Sequence, residues 1–181
     1  MSEADSAKPL RGTKLKRFNR EIRRAWREQP RRVALVLEHV SFAVNVGAFF
    51  RIADACQAEL VALVGSTASP EDSPTLRKVG RGRHRTVPWA RFESVEAALA
   101  SPALRDYTSY AVEITESSEP YHRVAYAERS ALVLGNEEHG LTRPALAACD
   151  RSVYVPMLGR GASLNVHVAG AIVAYRALLA G

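Results

Sequence analysis

The polar residues best placed to do chemistry fall in three stretches, and each follows or joins a short apolar run. Residues 134–142 read Leu-Gly-Asn-Glu-Glu-His-Gly-Leu-Thr, residues 154–157 read Tyr-Val-Pro-Met, and residues 163–172 read Ser-Leu-Asn-Val-His-Val-Ala-Gly-Ala-Ile. Apolar strands that break into polar, glycine-bearing loops, set side by side, form the ligand crevice of an open α/β sheet. Upstream, the apolar run Val33–Leu37 reads as a fully covered parallel strand. It leads into a helical pattern where Asn45 stands six residues before Arg51. Asn is a preferred helix N-cap, so Asn45 is expected to open that helix.

Some chemistries are excluded by the same residues. Gly135 and Gly140 have the spacing of a phosphate-binding P-loop, yet Leu141 stands where its lysine must be. Glu137 and Glu138 inside that loop would also repel a triphosphate. Gly80-Arg-Gly82 and Gly159-Arg-Gly161 each lack the third glycine of a dinucleotide fingerprint. His139 and His167 have no third ligand at a fixed spacing, so no metal is expected. Cys56 and Cys149 are isolated and read as reduced thiols of the core.

Taken together and in order, these stretches resemble the SpoU (TrmH-like) branch of the SPOUT superfamily, over roughly residues 33–179. Its first motif is matched by Asn45, Gly47-Ala48, Arg51 and Ala53-Asp54, and its later motifs by the three stretches above. The resemblance implies an S-adenosyl-L-methionine-dependent methyltransferase acting on a ribose 2′-OH of tRNA or rRNA. It implies that Arg51, Asn45, Glu137, Ser163 and Asn165 form the catalytic set. Guanidinium groups stay charged at any ordinary pH, so Arg51 is read as holding a phosphate and stabilising the developing alkoxide, with base action left open. Glu137 would orient Arg51 or the ribose. Contacts to the methyl donor carry over to Val112, Leu134, Gly135, Asn136, Val155, Met157, Ser163 and Leu164. Three positions depart from the family's pattern: Glu138 stands for a usual Gly, Ala162 for Glu or Gln, and His167 for a small residue. An inactive RNA-binding or assembly protein of the same fold, and a base-methylating SPOUT enzyme, are the alternatives. The polar set and the Ser-Leu-Asn-Val run favour ribose chemistry over both.

The elements that must position these residues alternate along the chain. Strands are expected near 33–38, 59–64, 84–89, 108–113, 131–135 and 152–156. Helices are expected near 46–57, 74–80, 94–104, 142–148 and 163–179, with a basic helix over 10–27. That alternation predicts an α/β fold, a mainly parallel sheet with helices on both faces. The resemblance adds a deep C-terminal trefoil knot, the SPOUT fold. The helix 165–179 is apolar on more than one face (Val166, Val168, Ala169, Ile172, Val173, Leu178), and family members pair through it, so a homodimer is expected.

Charge divides the chain at residue 32. Residues 1–32 hold eleven of the 25 Lys and Arg residues against four acids, a net of +7, whereas the rest nets −1. We therefore expect a basic, partly helical arm over 1–32, able to bind RNA phosphates, and a methyltransferase domain over 33–181. A second basic patch comprises Arg77, Lys78, Arg81, Arg83 and Arg85. A length of 181 residues with 47% apolar content suits one folded core. No apolar run approaches the ~18 residues of a membrane span, and the basic N-terminus lacks an apolar leader core, so a cytoplasmic location is expected.

Overall fold

Every apolar run that the pattern marks as a covered strand becomes one, because its backbone groups pair on both sides within the sheet. The computed structural model describes residues 9–179 and divides into two units, Met1–Pro30 and Arg31–Gly181. The first holds helix α1 (Gly12–Arg27). Leu15, Phe18 and Ile22 recur on one side of it and are all exposed, while Lys14, Arg17, Arg20 and Arg24 stand among them.

The second unit carries β1 (Arg32–Glu38), α2 (Ala43–Cys56), β2 (Val61–Val64), α3 (Pro74–Val79) and β3 (Trp89–Phe92). It continues through α4 (Val95–Ala100), β4 (Thr108–Val112), β5 (Glu119–Pro120) and β6 (Arg129–Leu134). It closes with α5 (Arg143–Ala148), β7 (Arg151–Tyr154) and α6 (Val166–Leu179). The strand order is β3-β2-β1-β6-β4-β7-β5, and every pairing is parallel.

Strand alternation sorts β1 between two cores. Val33, Leu35 and Leu37 pack with Phe49 and Phe50 of α2, Leu132 and Leu134 of β6, and Val173 and Ala174 of α6. Ala34 and Val36 face the other way, toward Val95 and Ala98 of α4 and Ala145 of α5. A parallel sheet sandwiched by helices follows, with α2 and α6 together on one face. Two glycines allow close packing around α2, Gly170 where α6 meets it and Gly47 where α3 does. A Cβ at Gly170 would stand 2.6 Å from the Phe49 ring and 2.9 Å from Leu134, and one at Gly47 would stand 2.9 Å from the Leu76 carbonyl oxygen of α3. Burial pushes the Cys56 thiol up to about 11 and the Cys149 thiol to about 12, and both are free.

Several boundaries differ from the sequence expectation, each for a local reason. Residues 83–85 form a 3₁₀ turn, not a strand, because Arg81 (φ 48°) and Gly82 (φ 74°) reverse the chain first; β3 starts only at Trp89. Helix α4 stops at Ala100, since Pro102 drives Ser101 into an extended conformation (ψ 154°). The two-residue β5 escaped notice as too short to show alternation. Helix α6 begins at Val166, three residues later than expected from Ser163.

Candidate active site

The loop after β6 is the centre of the site, and its own bonds shape it. Asn136 and Gly140 exchange backbone hydrogen bonds of 3.0 Å each, and the Asn136 side-chain oxygen accepts from the N–H groups of Glu138 (2.9 Å) and His139 (3.0 Å). This tight return leaves no room at Gly135, where a Cβ would lie 2.3 Å from the Gly140 carbonyl carbon. The base of the loop is pinned by two carboxylates. Buried Glu38, at the end of β1, accepts from the Thr142 N–H (2.9 Å) and hydroxyl (2.7 Å), and Glu113 accepts from the Leu141 N–H (3.1 Å). Thr142 in turn accepts from the Ala145 N–H and caps α5.

A third set of bonds staples this loop to the start of α2. The Asn136 amide donates to the His39 carbonyl (2.9 Å) and Ser41 hydroxyl (2.7 Å). Glu137 accepts from the N–H groups of Ser41 (2.9 Å) and Phe42 (3.2 Å) and from the Asn45 amide (2.7 Å). Burial works to raise the Glu137 pKa, but the Asn45 bond together with the backbone donors outweighs it, and the carboxyl sits below its usual range. Glu137 is therefore a carboxylate at neutral pH, placed at the positive end of α2.

One expected role changes here. Asn45 is not the cap of α2: the helix begins at Ala43 with Phe42 in the capping position, and Asn45 lies inside the first turn, only 4% exposed. Both ends of its amide are taken, the nitrogen by Glu137 and the oxygen by His167 Nδ1 (3.0 Å). At the start of α6 it is Asn165 that caps the helix, its side-chain oxygen accepting from the His167 N–H (3.2 Å).

Arg51 is not gathered into this network. On α2 the buried face runs Asn45, Phe49, Ala53, Cys56, whereas Arg51 lies on the stripe Val44, Ala48, Arg51, Ala55. Six residues at 100° each carry it about 120° around the helix from Asn45. Arg51 is exposed and makes no hydrogen bond or ion pair among the described residues. Among the described residues, the partners of Glu137 are Ser41, Phe42 and Asn45, and Arg51 is not one of them.

Beside the loop, a cleft of about 430 Å³, counting its open mouth, lies at the C-terminal ends of β4 and β7. Val112 ends β4 and Glu113 and Ile114 follow it, Tyr154 ends β7 and Val155 and Met157 follow it, while Ser163 and Leu164 precede α6 and Ala169 lies in its first turn. Parallel α/β sheets bind ligands at this end of their strands. Of the expected donor contacts, Val112, Val155, Met157, Ser163 and Leu164 line the cleft. Leu134 and Gly135 are buried, and Asn136 is engaged within its loop. Sequence reasoning missed Glu113, Glu38 and His167 as members of the site. Glu113 and Glu38 share a signal, a carboxylate directly after an apolar run, and His167 stands out as a ring where the family pattern has a small residue.

The basic patch is also resolved by its bonds. Arg77 donates to the Pro70 (2.7 Å) and Glu71 (3.2 Å) carbonyls, and Arg83 pairs with Asp54 of α2 (3.4 Å). Lys78, Arg81 and Arg85 are exposed, and their side chains make no hydrogen bond or ion pair among the described residues.

A parallel sheet with a cleft and a glycine-bearing loop at the C-terminal ends of its strands is a ligand-binding arrangement of open α/β folds, and sequence comparison narrows the class. Residues 32–175 match the model of the SpoU rRNA Methylase family. The chain belongs to that family. It is 32% identical over 146 residues to the 23S rRNA (guanosine(2553)-2′-O)-methyltransferase of Bacillus subtilis, covering 80% of this chain but 57% of that protein. It is 29% identical over 158 residues to the tRNA (guanosine(18)-2′-O)-methyltransferase of Thermus thermophilus, covering 87% of this chain and 80% of that one. Among solved structures, an AdoMet-bound rRNA methyltransferase from Sinorhizobium meliloti superposes with a TM-score of 0.73 at 25% identity, over 84% of this chain and 58% of that one.

Proposed function

We propose that this chain is an S-adenosyl-L-methionine-dependent RNA ribose 2′-O-methyltransferase acting on tRNA or rRNA. The observation that carries this reading is the juxtaposition, around one loop, of an apolar cleft and an ordered carboxylate–amide network. The cleft suits the donor: Val112, Val155, Met157 and Leu164 offer apolar walls for an adenine and a methylene chain. Glu113 spends one bond on each oxygen, to the Leu141 and Ile114 N–H groups, and keeps lone pairs for ribose hydroxyls. Its negative charge also complements a sulfonium cation.

When bound, the donor supplies a methyl group to the ribose oxygen. The residues of this chain align that oxygen, and alignment supplies ~7 kcal/mol or more in well-oriented cases. Glu137, held as a carboxylate, is placed to accept from the reacting hydroxyl or to orient a cation. Arg51 holds the neighbouring phosphate and stabilises the alkoxide. Because Arg51 faces away from Glu137 in its own chain, it serves the site of a second copy. The outer stripe of α6, Val168, Ile172, Tyr175 and Leu179, is the surface that second copy would cover; Val168 (38%) and Tyr175 (44%) are exposed although large and apolar. The C-terminal segment is read as threaded in a trefoil knot, in keeping with the family. The arm over α1, together with Lys78, Arg81 and Arg85, meets RNA phosphates.

The test is to incubate the chain with labelled donor and tRNA or rRNA, then digest with alkali. A labelled, alkali-resistant dinucleotide supports ribose methylation. Donor binding without transfer, or a methylated base, overturns it. Light scattering at micromolar concentration should give a dimer, and a monomer refutes the shared site.

A further inference from the structure

We propose that His167 is a positioning residue that holds the Asn45 amide by its oxygen and, through it, steadies the Glu137 carboxylate. The inference rests on the reading above only in taking Glu137 to work beside the reacting ribose. Its geometric part stands on the hydrogen bonds alone.

A carboxylate accepts and cannot donate, so the Asn45 atom 2.7 Å from Glu137 Oε1 must be the amide nitrogen. The amide oxygen is then the atom 3.0 Å from His167 Nδ1. An amide oxygen only accepts, which places the imidazole proton on Nδ1 and leaves Nε2 bare. Burial holds the His167 pKa below its usual value, in keeping with a neutral ring at pH 7. Asn45 is only 4% exposed, so solvent has little access to replace a lost partner. Without the His167 donor, the amide oxygen is left unpaired and the side chain is held at its nitrogen end alone, so it can tilt and carry the Glu137 carboxylate with it. The imidazole N–H therefore secures the second end of Asn45.

His167 is itself held from two sides. Its ring meets Phe49 of α2 edge-on (centroids 6.5 Å apart, 85°), and its backbone N–H is bonded to Asn165. The segment carrying Ser163, Leu164 and Asn165 is thus tied through one side chain to the loop carrying Glu137. Cleft wall and carboxylate keep a common register.

The substitutions His167→Asn, His167→Gln and His167→Ala separate positioning from simple packing. Asn places an amide N–H near the position of Nδ1, whereas Gln places one near Nε2 and Ala none. In the full chain, His167→Asn should retain kcat near the wild-type level. His167→Gln and His167→Ala should lower kcat, on the order of 10²-fold if the carboxylate shifts by about an ångström, with donor affinity within a few-fold. Equal kcat in all three, or equal loss in all three tracking thermal stability, overturns the proposal. Imidazole ¹⁵N spectra of the wild type should show the Nδ1–H tautomer, and an Nε2–H tautomer overturns it whatever the activity. A wild type that shows Nδ1–H but methylates no RNA refutes the methyltransferase reading and leaves the amide geometry standing.

Discussion

Gly135→Ala puts the shape of the central loop to a quantitative test. The added methyl would lie 2.3 Å from the Gly140 carbonyl carbon, 2.5 Å from its oxygen and 2.5 Å from the Leu141 nitrogen, where ordinary contact is 3.4–4 Å. All three are backbone atoms, so relief requires the loop to open by about an ångström, not a side chain to turn. Opening removes the paired Asn136–Gly140 bonds and the bond from the Leu141 N–H to Glu113. Three hydrogen bonds at ~1 kcal/mol each give a loss of about 3 kcal/mol, a large part of the ~5–15 kcal/mol that holds a typical domain together. Urea unfolding should show the free energy of unfolding falling by that amount, read as a lower midpoint at an unchanged slope, and calorimetry should show weaker donor binding as Glu113 loses its anchor. Gly159→Ala is the control, since nothing lies within 4 Å of a Cβ there. If Gly135→Ala matches that control in both stability and donor affinity, the loop does not close as argued.

Arg51→Ala should abolish methylation while leaving stability within about 0.5 kcal/mol, because the side chain is exposed and unbonded among the described residues; near-normal turnover refutes its role. Reversing Lys78, Arg81 and Arg85 to Glu should raise the RNA dissociation constant and flatten its log–log salt slope by roughly 2, at ~0.7 per phosphate contact. Arg77→Ala and Arg83→Ala should instead act on stability, through their bonds to Pro70 and Asp54. Deleting residues 1–28 should weaken RNA binding and its salt dependence with donor binding intact; an unchanged slope makes the arm a solubilising tail. Glu137→Gln should change the acid limb of stability. The folded-state carboxyl lies below its ordinary 4.5, so its stabilisation is complete above that pH and is lost as pH falls below it. The gap in thermal midpoint between wild type and variant should be constant above 4.5 and close below it; a gap that widens on acidification contradicts the assigned bonds.

Much of this site was legible in the chain because its signals are local. Five apolar residues from Val33 to Leu37 announce a covered strand, a Gly-Asn-Glu run after β6 announces a polar loop, and Ser-Leu-Asn before an apolar run announces a helix start. Helix ends were misjudged where a single residue two or three places away decides them, as Pro102 does for α4. The roles of Asn45 and Arg51 show the deeper difference. Residue type marked both, and helical spacing alone already sets them on different faces of α2. What Asn45 touches depends on residues 92 and 122 positions away in sequence, Glu137 and His167. Likewise Glu38 reaches Thr142 across 104 positions. Those meetings follow from the strand order, which seats β6 beside β1 and lays α6 against α2. Periodicity in a sequence records which face of an element is covered, since that is a local matter of hydrophobic spacing. Which polar groups then find each other across that cover is decided by topology, and only the folded sheet brings β1, β4, β6 and β7 to one edge.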